Sequence, residues 1–239
     1  MLGASRPPQA VTLPHDAMIA LERSARNGSG SGYFPGGVFE YNKTFGVPED
    51  YRSKRVTIQF EGVYQGAVVF INGEFAAQRP FGYSNFYVPA DAFLKYGEPN
   101  AIRVVARGHD DSRWYSGIGI HRDAWIIVKE LVHIALDGVK ITTPDVDAER
   151  AVVTIATIVQ NESINTQTVS VATEIRNANG GSVASDAAPV TLLPGESAAV
   201  RQRLYVDAPE LWSVDRPYLY RAETVVRTQT AVLDQEQTR

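Results

Sequence analysis

The chain has 239 residues, 44% hydrophobic and 21% charged, which suits a folded protein of one large or two ordinary domains and excludes a disordered chain. A net charge of −4, with no basic cluster beyond the Lys54-Arg55 pair, gives no field for nucleic acid, and no apolar run approaches the ~20 residues of a membrane-spanning helix. The absence of cysteine excludes disulfides and thiol chemistry and leaves the redox compartment open.

In chain order, the N-terminal "MLGASRPPQAVTLPHD" lacks the basic start and apolar stretch of a signal peptide, which leaves the compartment undetermined. "NGSGSG" at 27–32 is the one low-complexity piece and reads as a flexible surface loop. No helix follows it to present an N-terminus to a phosphate, so it is not a nucleotide fingerprint. "KRVTIQFEG" and "GAVVFINGEFAAQ" read as strands. Within the second, Asn72-Gly73 predicts a two-residue type I′ hairpin, because both residues tolerate positive φ. "SNFYVPADAFLKYGEPNAIRVVARG" reads as strand, short helical turn, Gly-Glu-Pro-Asn corner and strand.

Near residue 130 the texture changes to Val/Thr/Ala alternation with few aromatics. Val169, Val171, Thr173 and Ile175 share one face, Ser170, Glu174 and Arg176 share the other, and "NANGG" supplies a turn. "VTLLPGESAAVRQRLYV" repeats the strand-turn-strand form. Strands at about 10-residue spacing with such turns predict an immunoglobulin-type sandwich. The fold class is therefore all-β, two β-sandwich domains at 1–131 and 132–239. "IIVKELVHIAL" at the junction lacks the Gly, Ser and Pro of a flexible linker, so rigid packing is expected.

The four histidines, His15, His109, His121 and His133, lack the paired spacing of a zinc site. Ser116 does not sit on a strand-to-helix nucleophile elbow. Asp110 and Asp111 are neighbours whose side chains diverge in extended chain, so they cannot span a glycosidic bond as a catalytic pair. "QNES" at 160–163 holds an Asn-Glu pair, but it ends an alternating strand, where Asn161 and Glu162 read as the start of a turn. What remains is "DDSRWYSGIGIHRD" at 110–123. Carboxylates accept hydrogen bonds from sugar hydroxyls and aromatic faces cover a sugar ring, so Asp111, Arg113, Trp114 and Tyr115 can bind a sugar. The same stretch can equally be a tight corner, with Gly117 and Gly119 in unusual backbone angles and Arg122 and Asp123 paired to brace the next strand.

"RWYSGIGIHRD" followed by "AWIIV" resembles the corner that ends the N-terminal jelly-roll domain of glycoside hydrolase family 2, the β-galactosidase, β-glucuronidase and β-mannosidase group. "LPHD" (13–16), "GSGYFPGGVFEYNKTF" (30–45) and "FEGVYQGAVVFINGE" (60–74) are similar to other parts of that galactose-binding-like domain. "ITTPDVDAERAVVTIATIVQNES" and "PELWSVDRPYLYRAETVV" (209–226) resemble the immunoglobulin-like second domain. The resemblance covers nearly the whole chain, in order.

The resemblance implies that the nucleophile and acid/base are glutamates of a third, (α/β)₈ barrel domain of the same polypeptide, of about 250 further residues. This chain then holds no catalytic residue and no cofactor of its own and acts as the non-catalytic N-terminal portion of a glycosidase, expected to be a retaining β-galactosidase. By correspondence, Asp16 and Asp111 contact hydroxyls of the terminal sugar, with Arg113 and Trp114 as weaker substrate-binding candidates. Asp111 is also the candidate neighbour of a cation in the full-length enzyme. Ala17 stands where the family commonly has Trp. The implied partners are a β-galactoside or related oligosaccharide, the barrel, and a second copy in a homo-oligomer. The rival readings are a self-sufficient carbohydrate-binding module, a β-glucuronidase or β-mannosidase-type member, and a ligand-free interaction protein.

Overall fold

The period-2 segments are strands in the computed structural model, which describes residues 7–108 and 115–239. Among the described residues sixteen strands run in chain order. The first nine are β1 (Gly37–Gly46), β2 (Arg55–Phe60), β3 (Val63–Tyr64), β4 (Ala67–Ile71), β5 (Glu74–Arg79), β6 (Phe86–Pro89), β7 (Pro99–Gly108), β8 (Gly119–Ile120) and β9 (Ala124–Lys129). They are followed by β10 (Val132–Val146), β11 (Arg150–Asn161), β12 (Gln167–Arg176), β13 (Ser182–Leu192), β14 (Ser197–Asp207), β15 (Arg221–Arg227) and β16 (Val232–Thr238). The helical segments among the described residues are three short 3₁₀ turns. Among the described residues the strands of both units pair antiparallel, and the fold is all-β. The chain divides into two compact units, Met1–Val128 and Lys129–Arg239.

In the first unit, sheet β1-β7-β4-β5 and sheet β6-β2-β9 share one core. Alternation in β2 sends Val56, Ile58 and Phe60 inward, where Phe60 stacks on Phe86 of β6 at 5.1 Å between ring centroids. Val69 and Ile71 of β4 and Val104 and Ala106 of β7 close the core from the other sheet. The hairpin predicted at Asn72-Gly73 joins β4 to β5, and both residues have positive φ, 51° and 88°. The Asn72 amide gains a second role that its turn signal did not announce. Its Nδ2 donates to the Phe93 carbonyl and to Asn100 Oδ1, both at 2.8 Å, and its Oδ1 accepts the Ala101 N–H at 2.9 Å.

The second unit pairs sheet β10-β11-β14 with sheet β13-β12-β15-β16. Val169, Val171, Thr173 and Ile175 of β12 are buried, as their spacing predicts. Asn161 ends β11 fully buried. Its Nδ2 donates to the carbonyls of Asn165, Leu192 and Leu193, and its Oδ1 accepts from the backbone and hydroxyl of Ser163. The "QNES" segment is therefore a turn locked by its own asparagine.

"NGSGSG" departs from the expectation of a flexible loop. Ser29–Ser31 forms a 3₁₀ turn, Ser31 is buried, and its hydroxyl donates to the carbonyls of Gly28 and Phe34. The Arg23 guanidinium donates to the Gly32 carbonyl at 2.8 Å, which ties the turn to the preceding segment. A composition of Ser and Gly reports backbone freedom, and here that freedom serves a tight buried turn.

Candidate functional site

The site is built from two segments about a hundred residues apart. Residues 13–18 lie beside 118–120, with His15 N–H donating to the Ile120 carbonyl at 2.7 Å and Ala17 N–H to the Ile118 carbonyl at 2.8 Å. Met18, almost fully buried, anchors the end of the first segment in the core. Asp16 projects from the bend between them. Its Oδ1 accepts the N–H groups of Met18 at 2.9 Å and Ile118 at 3.0 Å, and its Oδ2 accepts the Tyr115 hydroxyl.

The two glycines of the corner fit this arrangement for steric reasons. Gly117 has φ +72°, and a Cβ there would sit 2.8 Å from Asp16 Oδ2. Gly119 has φ +143°, and its Cβ would overlap the Tyr41 hydroxyl and lie 2.7 Å from the His15 carbonyl oxygen. Both positions combine a backbone that side chains resist with no room for one. The Tyr41 hydroxyl shares a 2.8 Å hydrogen bond with His15 Nδ1. Burial pushes the Tyr41 phenol up to about 12, the Asp16 charge adds to this, and a hydrogen bond with the Ile120 backbone opposes it. Burial, then the hydrogen bond to Asp16 and its charge, raise the Tyr115 phenol well above its ordinary value. Both phenols therefore stay protonated at neutral pH and keep their hydrogen-bond donors.

An aromatic flank completes the corner. Phe34 meets Tyr115 edge-on at 5.1 Å between centroids, and the Arg23 guanidinium lies 5.5 Å from the Phe34 ring and 6.0 Å from the Tyr33 ring. Sequence reasoning did not single out Phe34, Arg23, His15 or Tyr41. Their one visible signal is that His15, Phe34 and Tyr41 fall inside the "LPHD" and "GSGYFPGGVFEYNKTF" motifs.

Of the predicted sugar-contacting residues, Asp16 is described, half-buried, and brought against Tyr115. A carboxylate offers about four acceptor sites, two per oxygen. Among the described residues, Oδ1 accepts two backbone donors and Oδ2 accepts one hydrogen bond. Asp16 is thus a brace of the corner. Asp111, Arg113 and Trp114 lie outside the described residues, as does His109. Among the described residues no group of three or more His, Asp or Glu gathers as a metal-binding cluster.

The bracing pair expected of Arg122 and Asp123 does not form. The Arg122 guanidinium instead reaches the carbonyls of Glu61 and Tyr83 at 3.4 and 3.5 Å, and the Asp123 carbonyl accepts the Glu61 N–H at 3.0 Å. The two residues lie in the bend between β8 and β9, where the Arg122 side chain and the Asp123 backbone both turn to Glu61. The corner is braced through Glu61.

Residues 132–239 match the family model described as glycosyl hydrolases family 2. Over 230 residues, 95% of its length, the chain is 38% identical to the β-galactosidase BoGH2A of Bacteroides ovatus. Residues 132–239 belong to glycoside hydrolase family 2, and the similarity to its members runs along nearly the whole chain. A putative β-glucuronidase of Formosa agariphila is 29% identical over 96% of this chain. The crystal structure of a family 2 member from Bacteroides cellulosilyticus superposes with a TM-score of 0.88, at 30% identity over 95% of the chain. The chain spans 27% of the B. ovatus protein, 22% of the F. agariphila protein and 31% of the B. cellulosilyticus chain.

Proposed function

We propose that this family 2 chain is the non-catalytic, sugar-facing portion of a retaining β-galactosidase whose acid and nucleophile are glutamates of a barrel in the same polypeptide. The observation that carries the choice of sugar is the 38% identity to a β-galactosidase along 95% of the chain, against 29% to the putative β-glucuronidase. In this reading the corner at Asp16 and Tyr115 faces the terminal sugar. Asp16 Oδ2 accepts one hydroxyl, and Asp111 on the adjoining stretch accepts another. The barrel's carboxylates then perform the two displacements that retention requires. Binding from the rim lowers the energy of bound substrate and transition state alike, so its loss raises KM more than it lowers kcat.

Exposed apolar side chains in the second unit support a docking role for that barrel. Leu211, Trp212, Val214 and Leu219, from "PELWSVDRPYL", are exposed by 47%, 59%, 85% and 55%. Large apolar side chains concentrated in one exposed segment mark an interaction surface. A self-sufficient binding module would have no use for it.

The test is made in the polypeptide extended through the barrel. Asp16→Ala is expected to raise KM for an aryl β-galactoside about ten-fold with kcat changed less than three-fold, the loss of one hydrogen bond to substrate. An unchanged KM, with the variant folded, would remove Asp16 from the sugar. Faster turnover of the matching β-glucuronide would replace the galactosidase reading by the glucuronidase one.

A further inference from the structure

Beside the Asp16 corner the fold holds one aromatic residue in a strained backbone. Tyr33 has φ +66°, in the left-handed region that glycine and asparagine enter readily and a bulky side chain resists. Three hydrogen bonds fix it there. Its N–H donates to the Gly28 carbonyl at 3.2 Å, and its carbonyl accepts the Ser24 N–H and the Asn27 Nδ2, both at 3.0 Å. Packing does not offset the strain, because the ring stays 43% exposed. Glycine would hold the same turn freely, as Gly32 does one residue earlier at φ +64°. A strained backbone that carries an exposed ring next to a site marks that ring as functional.

The Arg23 guanidinium stands beside the same ring. Its Nε donates to the Gly32 carbonyl at 2.8 Å, which holds the group 6.0 Å from the centre of the Tyr33 ring and 5.5 Å from that of Phe34. The side chain is exposed, and its two terminal nitrogens make no hydrogen bond or ion pair among the described residues. The donors of an anchored fork are thus left for a ligand. The flank is continuous with the corner. Phe34 meets Tyr115 edge-on, and a Cβ on Gly32 would lie 3.9 Å from that of Tyr115, the residue that holds Asp16.

An exposed aromatic ring and a row of N–H donors suit a neutral sugar. The ring covers the apolar face of a pyranose, and the donors meet its hydroxyl oxygens. Asp16 can only accept when ionised, whereas Arg23 can only donate, so the corner and its flank address different hydroxyls. A glycoside has two parts, the terminal sugar and the group that leaves. With the first at Asp16, a ring seated on Tyr33 is the second.

We propose that Tyr33 and Arg23 form the site for the leaving group, a second sugar whose ring lies on Tyr33 and whose hydroxyls accept from Arg23. This rests on the reading of the Asp16 corner as the terminal-sugar rim of a β-galactosidase. Tyr33 is then a specificity residue that favours galactosyl-sugars over simple galactosides.

The test uses the polypeptide extended through the barrel. It compares kcat/KM for galactosyl-glucose disaccharides of different linkage with that for methyl β-galactoside, and measures inhibition by free galactose and Tm alongside. Tyr33→Gly removes the ring and relieves the backbone together. The ratio of kcat/KM for the best disaccharide to that for methyl β-galactoside is expected to fall about ten-fold, with Tm unchanged or higher. Tyr33→Phe, which keeps the ring, is expected to retain the ratio, and Arg23→Gln to lower it in the same sense as Tyr33→Gly. A lower Tm in Tyr33→Gly with the ratio unchanged overturns the proposal, since the ring would then serve packing alone. A parent enzyme that prefers no disaccharide to methyl β-galactoside overturns it as well. Asp16→Ala tests the underlying reading separately, because it should weaken galactose inhibition and leave the ratio as it was. Unaltered galactose inhibition in Asp16→Ala removes the rim reading, whereas an unaltered ratio in Tyr33→Gly removes the leaving-group site alone.

Discussion

The hydroxyl of Tyr115 donates to Oδ2 of Asp16 across ninety-nine residues of chain. That bond ties the N-terminal segment to the corner after β7, and the two backbone donors on Oδ1 complete the tie. Removing the carboxylate strands three donors at once, whereas removing the phenol strands only one acceptor site that water can fill. Tyr115→Phe is expected to cost about 1 kcal/mol and Asp16→Ala about 2–4 kcal/mol, read from urea midpoints. The double variant should cost little more than Asp16→Ala alone, because the two residues share one interaction. Gly117→Ala should resemble Asp16→Ala, since its Cβ would press on the same carboxylate from a backbone at φ +72°. Additive effects of Asp16→Ala and Tyr115→Phe would show that the bond is not energetically coupled.

His121 makes stability depend on pH in the mildly acidic range. Its ring nitrogens are buried without a hydrogen-bond partner among the described residues, and Gly62 leaves the room for its Nε2 edge. Burial, then the neighbouring Arg122 charge, holds the imidazole below its ordinary value. The folded chain therefore binds this proton less readily than the unfolded chain. Stability from this residue is present above the unfolded value near 6.5 and is lost as pH falls toward the lower folded value. Thermal unfolding across pH 7.5 to 5 should show Tm falling in the parent and falling less in His121→Phe. Parallel curves would assign the pH dependence elsewhere.

The second unit contains a mostly buried ion pair whose loss should be felt throughout its sheets. Lys129 Nζ lies 2.8 Å from Asp234 Oδ2, with both side chains 13% exposed. The same Oδ2 accepts the Ile134 N–H at 2.9 Å, and Nζ also donates to the Ile134 carbonyl at 2.9 Å. Asp234→Ala leaves a buried ammonium and a backbone donor unpaired and should cost about 3–5 kcal/mol. Lys129→Met with Asp234→Leu should recover much of that loss, because no charge is then stranded. A double variant as unstable as Asp234→Ala would contradict the charge argument.

Local features of the fold were legible where the sequence states its physics nearby. Asn72-Gly73 needs two positive φ angles, and no other reading suits those residues so well. The faces of β12 follow from alternation alone. Features that depend on distant partners were not legible. Nothing near Asp16 announces Tyr115, and nothing in "NGSGSG" announces that Ser31 is buried between two carbonyls. Arg122 and Asp123 invited pairing by adjacency, but the bend between β8 and β9 turns the Arg122 guanidinium to the carbonyls of Glu61 and Tyr83 instead. The family resemblance reached Asp16 through a motif, but its motif could not say that the same carboxylate braces the corner. Asp111, Arg113 and Trp114, three of the four predicted sugar-facing residues, fall in the stretch outside the described residues.

In the proposed reading this chain supplies a sugar-facing rim and scaffold while the catalytic carboxylates lie on another domain. An assay of the purified 239-residue chain with aryl β-galactoside and aryl β-glucuronide decides it. Release of the phenol no faster than in buffer is expected, for the chain and for its Asp16→Ala, Asp111→Ala and Glu162→Ala variants alike. Hydrolysis that copurifies with the chain and is abolished by Glu162→Ala or Asp111→Ala would contradict it, because the chemistry would then rest on carboxylates of these two β units.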